Sequence, residues 1–170
     1  MTQFNNYFQG KRVLVTGHTG FKGSWLTSWL KQLKAEVHGL SIDHPTFPSH
    51  YQLISSSLAI EESFIDIRSI DKLYSCVEQY NPNIIFHLAA QPIVKKSYTE
   101  PIATFTTNII GTSNLLEVVR LLDREVIVIV ITSDKCYYNN ESLWGYKETD
   151  RLGGKDPYSA SKAAAELIVN

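Results

Sequence analysis

Short apolar runs alternate with longer amphipathic segments along the 170 residues of this chain. Apolar runs of strand length predict buried strands, and apolar residues that recur at i, i+3 and i+4 predict helices between them. The pattern predicts strands at 12–16, 36–42, 64–67, 84–88 and 126–132, and helices at 21–34, 70–80, 102–122 and from Pro157 onward. Strands that alternate with helices predict an α/β fold with a doubly wound parallel sheet, which is Rossmann-like.

The remaining segments are predicted to be loops. Residues 43–63 contain Pro45, Pro48 and a serine cluster at 55–57, and residues 133–156 are rich in glycine and charge. The fourth and fifth strands are apolar on both faces, which is typical of central parallel strands. We therefore expect both of these strands to lie inside the sheet.

The end of the sequence also carries an expectation. The last helix is apolar up to Asn170, without a capping residue, and a doubly wound nucleotide fold usually has a sixth strand. We expect residues 1–170 to be an NAD-binding dinucleotide fold that is incomplete, truncated before the sixth strand and a C-terminal substrate domain.

Composition narrows the class of protein. Apolar residues make up 44% and charged residues 19% of the chain, which is ordinary for a folded domain. The net charge of −1 gives no reason to expect a nucleic-acid or membrane partner. Cys76 and Cys136 form no Cys-x-x-Cys motif and have no histidine at metal spacing. We expect two reduced thiols in a cytoplasmic protein without a metal site.

A glycine-rich turn joins the first strand to the first helix. Gly17, Gly20 and Gly23 have Gly-x-x-Gly-x-x-Gly spacing, a variant of the dinucleotide fingerprint. Such glycines permit a tight turn, close approach of a pyrophosphate and packing of the helix on the strand, and the helix N-terminus offers free N–H groups. Phe21 and Lys22 lie in the same turn and belong to the predicted cofactor-binding set.

Two acidic positions extend this prediction. Asp43 follows the second strand, where an acid binds the ribose hydroxyls, and no arginine lies nearby to hold a 2′-phosphate. This favours NAD over NADP, although Asp43 could instead be a turn residue before His44. Asp66 and Ile67 end the third predicted strand, where the adenine is expected; Asp66 could also be a simple strand-end acid.

The candidate catalytic residues fall into two groups. Tyr158 and Lys162 are four residues apart, which places a phenol and an ammonium on one helix face. Ser133, Asp134 and Lys135 follow the most apolar run of the chain. Alcohol oxidation with a nicotinamide needs the tyrosine, the lysine and a hydroxyl, so the added Asp134 and Lys135 indicate a second step such as water elimination.

Together these residues resemble the extended short-chain dehydrogenase/reductase family. The shared pattern includes the glycine turn, 66–67, 87–90, Val94, Ser97, Pro101, Asn108, 111–112, Tyr158 and Lys162. Within the family, segments 17–26, 89–92, 132–137, 144–148 and 153–159 resemble the nucleotide-sugar 4,6-dehydratases, in particular the branch that acts on CDP-glucose. The resemblance implies that Leu88, Ala89, Ala90, Gln91, Thr107 and Asn108 also contact NAD.

The resemblance also implies a reaction, used in deoxysugar and lipopolysaccharide O-antigen biosynthesis. Tyr158 takes the proton of the C4 hydroxyl as hydride leaves C4, Lys162 lowers the pKa of Tyr158, and Ser133 hydrogen-bonds the C4 oxygen. Water leaves across C5–C6 with Asp134 as the acid, and hydride returns to C6. Related dTDP-glucose dehydratases carry Thr-Asp-Glu where this chain has 133–135, so the role of Lys135 as the C5 base stays open.

Two other functions remain open at this point. A nucleotide-sugar 4-epimerase would need Ser133, Tyr158 and Lys162 but neither Asp134 nor Lys135. A truncated NAD-binding fragment without turnover is the second. The family also pairs the helices at 102–122 and 157–170 across a dimer interface, so a homodimer or higher homo-oligomer is expected. His18 and His87 are expected to be structural.

Overall fold

A computed structural model describes residues 3–169. Five parallel strands form one sheet in the order β3-β2-β1-β4-β5. This order confirms the predicted doubly wound fold. The strands are β1 (Arg12–Thr16), β2 (Glu36–Ser41), β3 (Glu61–Phe64), β4 (Ile84–His87) and β5 (Ile127–Val130).

Helices connect these strands. They are α1 (Phe21–Gln32), α2 (His50–Leu58), α3 (Ile70–Tyr80), α4 (Val94–Thr99), α5 (Pro101–Phe105), α6 (Gly111–Leu121) and α7 (Pro157–Val169). A π-helical turn, Thr106–Ile110, joins α5 to α6, and short 3-10 turns lie at Gln3–Asn6 and Asp134–Cys136. Within the described part of the chain, every helix is too short or too polar to cross a membrane.

The core is divided between the two faces of the sheet because side chains alternate along each strand. On one face Leu14 packs with Leu73 and Val77 of α3 and with Leu115 of α6. On the other face Val13 and Val15 belong to a cluster that includes Leu30 of α1. Alternate residues of β1 thus hold the two helical layers.

Three predicted elements are wrong or shifted. Residues 50–58 are helix α2 rather than loop, and the Ser49 hydroxyl and Gln52 side chain cap its N-terminus reciprocally at 3.2 Å. Strand β3 begins at Glu61, three residues before the predicted start, and ends at Phe64. Asp66 and Ile67 therefore follow the strand instead of ending it. The predicted helix at 102–122 is divided by the π-helical turn, and α4 was not predicted.

Within residues 3–169, the fifth strand is also not central. Among residues 3–169, β5 pairs only with β4 and forms an edge of the sheet, with Ile127 49% and Ile129 37% exposed. Apolar side chains on both faces therefore indicated a strand that is suited to burial, but they did not determine its position in the sheet.

Candidate active site

The glycine turn lies at the carboxyl end of β1, against the end of β4. Gly17 has a φ of +74°, and a Cβ atom there would lie 2.8 Å from the Ala89 nitrogen. A Cβ atom on Gly23 would lie 2.8 Å from the carbonyl carbon of Gly17. Gly20 occupies the N-cap position of α1 and offers no side-chain cap. The turn thus brings bare backbone and a helix N-terminus together, and such a cradle fits a pyrophosphate.

His18, which lies within the glycine turn, supports it through buried contacts. Its ring is fully buried, its Nδ1 lies 2.9 Å from Ser41 Oγ, and its ring packs edge-on against Tyr51 of α2. Burial lowers the pKa of His18, so the imidazole is neutral near pH 7. The carboxylate of Glu62 lies 3.8 Å from Nε2. Because helix α2 covers His18, the segment that was predicted as a loop helps to hold the glycine turn.

The structure distinguishes the two predicted acids. Asp43 is exposed just after β2, and its backbone oxygen accepts a 2.6 Å hydrogen bond from Thr19 Oγ1. Arg68 binds the Asp66 carboxylate through two nitrogens, at 3.0 and 2.6 Å, and this pairing lowers the pKa of Asp66. Asp66 is therefore already engaged by Arg68, whereas the carboxylate of Asp43 has no hydrogen-bond partner among residues 3–169.

The side chain of Ile67, which follows Asp66, is buried. Only 4% of it is exposed, and it packs so closely against Gly111 that a Cβ atom at that glycine would collide with its side chain. Its backbone oxygen accepts a hydrogen bond of 3.0 Å from Asn114. Ile67 therefore anchors α6 to the segment after β3.

The segment after β4 meets the π-helical turn. The amide nitrogens of Leu88 and Ala89 donate to Thr16 Oγ1 at 3.2 and 3.1 Å. The Asn108 amide accepts from the Gln91 nitrogen at 2.8 Å and donates to the Gln91 oxygen at 3.2 Å. A side-chain amide thus holds the Gln91 backbone by two bonds. Ala90 and Thr107 are half-buried in the same segments.

Helix α7 carries the tyrosine and the lysine of the predicted catalytic pair. Tyr158 and Lys162 are each 8% exposed, and Lys162 Nζ donates to the Ile131 oxygen at 3.3 Å. Burial is the main cause that lowers the pKa of Lys162, and the charge of Lys22 acts in the same direction.

The second group of predicted catalytic residues lies where β5 ends. Ser133 Oγ accepts from the Lys135 nitrogen at 3.2 Å and donates to Asp134 Oδ1 at 3.1 Å, which starts the 3-10 turn. Helix α7 packs against this turn, so the fold brings both predicted groups together. Ser133 is half-buried, whereas Asp134 and Lys135 are exposed.

Sequence reasoning missed several residues that support this site. Three of them, Thr16, Thr112 and Ser161, are buried hydroxyl residues that form hydrogen bonds between elements. The fourth is Arg68, which forms an ion pair with Asp66. Arg68 could have been found, because it lies two residues after Asp66. Thr112 lies in the family pattern described above, although no role was assigned to it there. Thr16 and Ser161 gave no signal of a supporting role, since serine and threonine are common in helices and strands without one.

A cavity of about 590 Å³ lies away from this site. Its lining includes Arg12 and Glu61, which are the first residues of β1 and β3. The lining also includes Ile65 and Asp71, so the cavity runs along the β3 edge of the sheet beside α3, and its lining residues do not belong to the glycine turn.

The fold and the site define a dinucleotide-binding α/β protein with a Tyr-x-x-x-Lys pair at the carboxyl edge of its sheet. The family model described as GDP-mannose 4,6 dehydratase matches residues 14–170, and the chain belongs to that family. This membership confirms the resemblance that was drawn from the sequence.

Individual relatives add detail. The chain is 49% identical to the CDP-glucose 4,6-dehydratase of Salmonella typhimurium over 97% of this chain and 46% of that protein. It is 32% identical to a UDP-glucose 4-epimerase of Mycolicibacterium smegmatis, over 94% of this chain and 50% of the relative. The chain thus spans about half the length of the curated relatives it matches.

A solved structure supports the fold. The UDP-glucose 4-epimerase of Brucella ovis, solved in complex with NAD, has a TM-score of 0.80 and 26% sequence identity. The match covers 94% of this chain and 46% of the epimerase chain. The doubly wound sheet of this protein is therefore the nucleotide-binding architecture of that structure.

Proposed function

We propose that this chain is the NAD-binding part of a CDP-glucose 4,6-dehydratase, an NAD-dependent hydro-lyase that converts CDP-glucose to CDP-4-keto-6-deoxyglucose. The observation that carries the proposal is the 49% identity to the Salmonella dehydratase, against 32% to the epimerase. Beside α7, Asp134 and Lys135 supply the two extra groups that elimination requires and epimerisation does not.

NAD fits the carboxyl edge of the sheet. The glycine cradle accepts a pyrophosphate, and the exposed carboxylate of Asp43 is available for the adenosine ribose. Leu88, Ala89, Ala90 and Gln91 border the same edge, with Thr107 and Asn108 behind them. When bound, NAD⁺ accepts a hydride from the sugar and returns it as NADH, so the overall reaction is redox-neutral.

The protein's own residues move the protons of the C4 step. Tyr158, as phenolate, removes the C4 hydroxyl proton, and the Lys162 ammonium stabilises that phenolate by its charge. Ser133 holds the C4 oxygen. Burial of Tyr158 and Lys162 strengthens their interaction, because charges interact more strongly where water is excluded.

Elimination then falls to Asp134 and Lys135. Asp134 protonates the leaving C6 hydroxyl, and Lys135 is the candidate for removing the C5 proton. Asp134 must be protonated and Lys135 deprotonated to do so, and both forms are favoured by desolvation. Because both side chains are exposed among the described residues, groups outside these residues, such as the bound sugar, have to supply that desolvation.

Mass spectrometry of the products tests the proposal directly. The natively produced protein is incubated with NAD⁺ and CDP-glucose. A dehydratase yields a product that is lighter by one water, whereas an epimerase yields a product of unchanged mass. Unchanged mass together with formation of a 4-epimer would establish the alternative function, and NAD binding without any product would indicate a binding module. UDP-glucose and dTDP-glucose in parallel reactions test the choice of base.

Assembly and location belong to the same proposal. Helices in 102–122 and 157–170 expose apolar side chains such as Ile102 (72%) and Leu167 (65%), which supports a homodimer or higher homo-oligomer through these helices. Cys76 and Cys136 are unpaired and buried, which supports a reducing, cytoplasmic setting.

A further inference from the structure

Buried hydrogen bonds connect the glycine turn to the tyrosine-bearing helix without interruption. Thr16 Oγ1 lies 2.8 Å from His87 Nδ1, and His87 Nε2 lies 3.1 Å from Thr112 Oγ1. Thr112 in turn bonds the backbone oxygen of Asn108 at 2.7 Å. The Asn108 amide donates to Ser161 Oγ at 2.8 Å. At most 3% of any of these five residues is exposed.

The donors around Thr16 indicate the direction of its hydrogen bond to His87. Thr16 Oγ1 accepts the Ala89 amide hydrogen at 3.1 Å, and the Leu88 amide hydrogen is shared between the Thr16 backbone oxygen at 3.0 Å and Oγ1 at 3.2 Å. With both amides directed at Oγ1, the Thr16 hydroxyl hydrogen is the donor that remains for His87 Nδ1, which makes Nδ1 an acceptor without a proton. His87 can then hold a single ring proton, and that proton is on Nε2.

The hydrogen bonds of Thr112, on the other side of His87, also place the ring proton on Nε2. The Thr112 hydroxyl hydrogen is used on the Asn108 oxygen, so Thr112 Oγ1 can only accept from His87. His87 Nε2 is therefore the donor. Ser161 Oγ accepts from Asn108 and donates to the Tyr158 backbone oxygen at 2.7 Å, which carries the connection into α7.

We propose that His87 is a positioning residue, held as the neutral Nε2–H tautomer, that couples the glycine turn to the π-helical turn and helix α7. A doubly protonated ring would present two donors and leave the Thr16 hydroxyl hydrogen without an acceptor. The coupling matters for catalysis only if the proposed function holds, but the tautomer and its connections are properties of this chain alone.

The surroundings of His87 agree with this role. Burial, and then the positive charge of Lys162 on α7, lower its pKa to about 3. The ring therefore keeps a constant charge across the pH range in which ordinary histidines titrate. A neutral, fully hydrogen-bonded ring fixes geometry, because breaking either bond leaves a buried polar group unsatisfied.

Nitrogen NMR tests the tautomer. The protein is labelled with ¹⁵N-histidine, and the His87 signals are assigned by their absence from His87→Gln. We expect a protonated Nε2 and an unprotonated Nδ1 from about pH 8 to about pH 5, where free histidine titrates. A proton on Nδ1, or on both nitrogens within this range, would overturn the proposal.

Thr112 variants test the coupling. Thr112→Val removes the acceptor for His87, and we expect amide exchange at Ala89 and the NAD dissociation constant each to rise about tenfold, with recovery in Thr112→Ser. The matched control is Thr27→Val, since Thr27 is fully buried and its hydroxyl has no partner among residues 3–169.

Equal rates of amide exchange at Ala89 in Thr112→Val and Thr27→Val would refute the coupling, even if the two variants differ in unfolding free energy. If the unmodified protein fails to bind NAD, the proposed function is wrong, while the tautomer and the Ala89 exchange still decide the role of His87.

Discussion

Replacement of Gly23 by alanine tests the glycine cradle most directly. The new Cβ atom would lie 2.8 Å from both the Gly17 carbonyl carbon and the His18 Cα atom, and it would collide with the Gly17 oxygen. Ordinary contacts of such atoms begin near 3.4 Å. The turn or the first turn of α1 must therefore move by at least 0.6 Å (3.4 minus 2.8). Backbone cannot rotate away as a flexible side chain could.

The expected cost follows from overpacking. Inserting a methyl group into a packed region costs about 1–3 kcal/mol of unfolding free energy, which urea unfolding followed by circular dichroism can measure. The displaced amides also lose their alignment with the pyrophosphate, so the dissociation constant of NAD, measured by calorimetry, should rise at least about tenfold, or about 1.4 kcal/mol.

Gly145→Ala provides the matched control, because a Cβ atom there has no neighbour within 4 Å. It should leave both the unfolding free energy and NAD binding unchanged. If Gly23→Ala bound NAD as tightly as Gly145→Ala, the close packing of turn and helix would not be what shapes the cofactor site.

Three further predictions follow from single residues. His87 has a folded pKa of about 3 against an ordinary 6.5, so the unfolded state binds the proton first as pH falls, and the unfolding free energy should drop by about 2 kcal/mol between about pH 8 and pH 5. Urea titrations should show a shallower pH dependence for His87→Gln, in which His18 and His38 are unchanged; parallel curves would contradict the burial of His87. Thr27→Val removes a buried hydroxyl that has no partner among residues 3–169, so its unfolding free energy should stay equal or increase, and a loss above about 1 kcal/mol would reveal a missed hydrogen bond. Lys135→Ala should bind NAD normally but lose elimination, and unchanged turnover of CDP-glucose would remove Lys135 from the mechanism.

The sequence by itself determined the order and type of most elements. Strand β1 and helix α3 have the predicted bounds, because an apolar run and an amphipathic repeat are local patterns. The glycine spacing and the Tyr158–Lys162 spacing are local as well. These signals were sufficient to predict the fold and the family.

Tertiary structure decided what depends on partners distant in sequence. The support of the glycine turn by α2 became visible only when the elements packed together. The same holds for the position of β5, since neighbours rather than composition make a strand central or peripheral.

The role of His87 shows this difference most clearly. Its partners Thr16 and Thr112 lie 71 and 25 residues away. Residues of this kind are common and carry no periodic signal, so a sequence pattern does not reveal them. Hydrogen bonding depends on angles and on distances near 3 Å, and only the packed fold brings such groups within reach of one another.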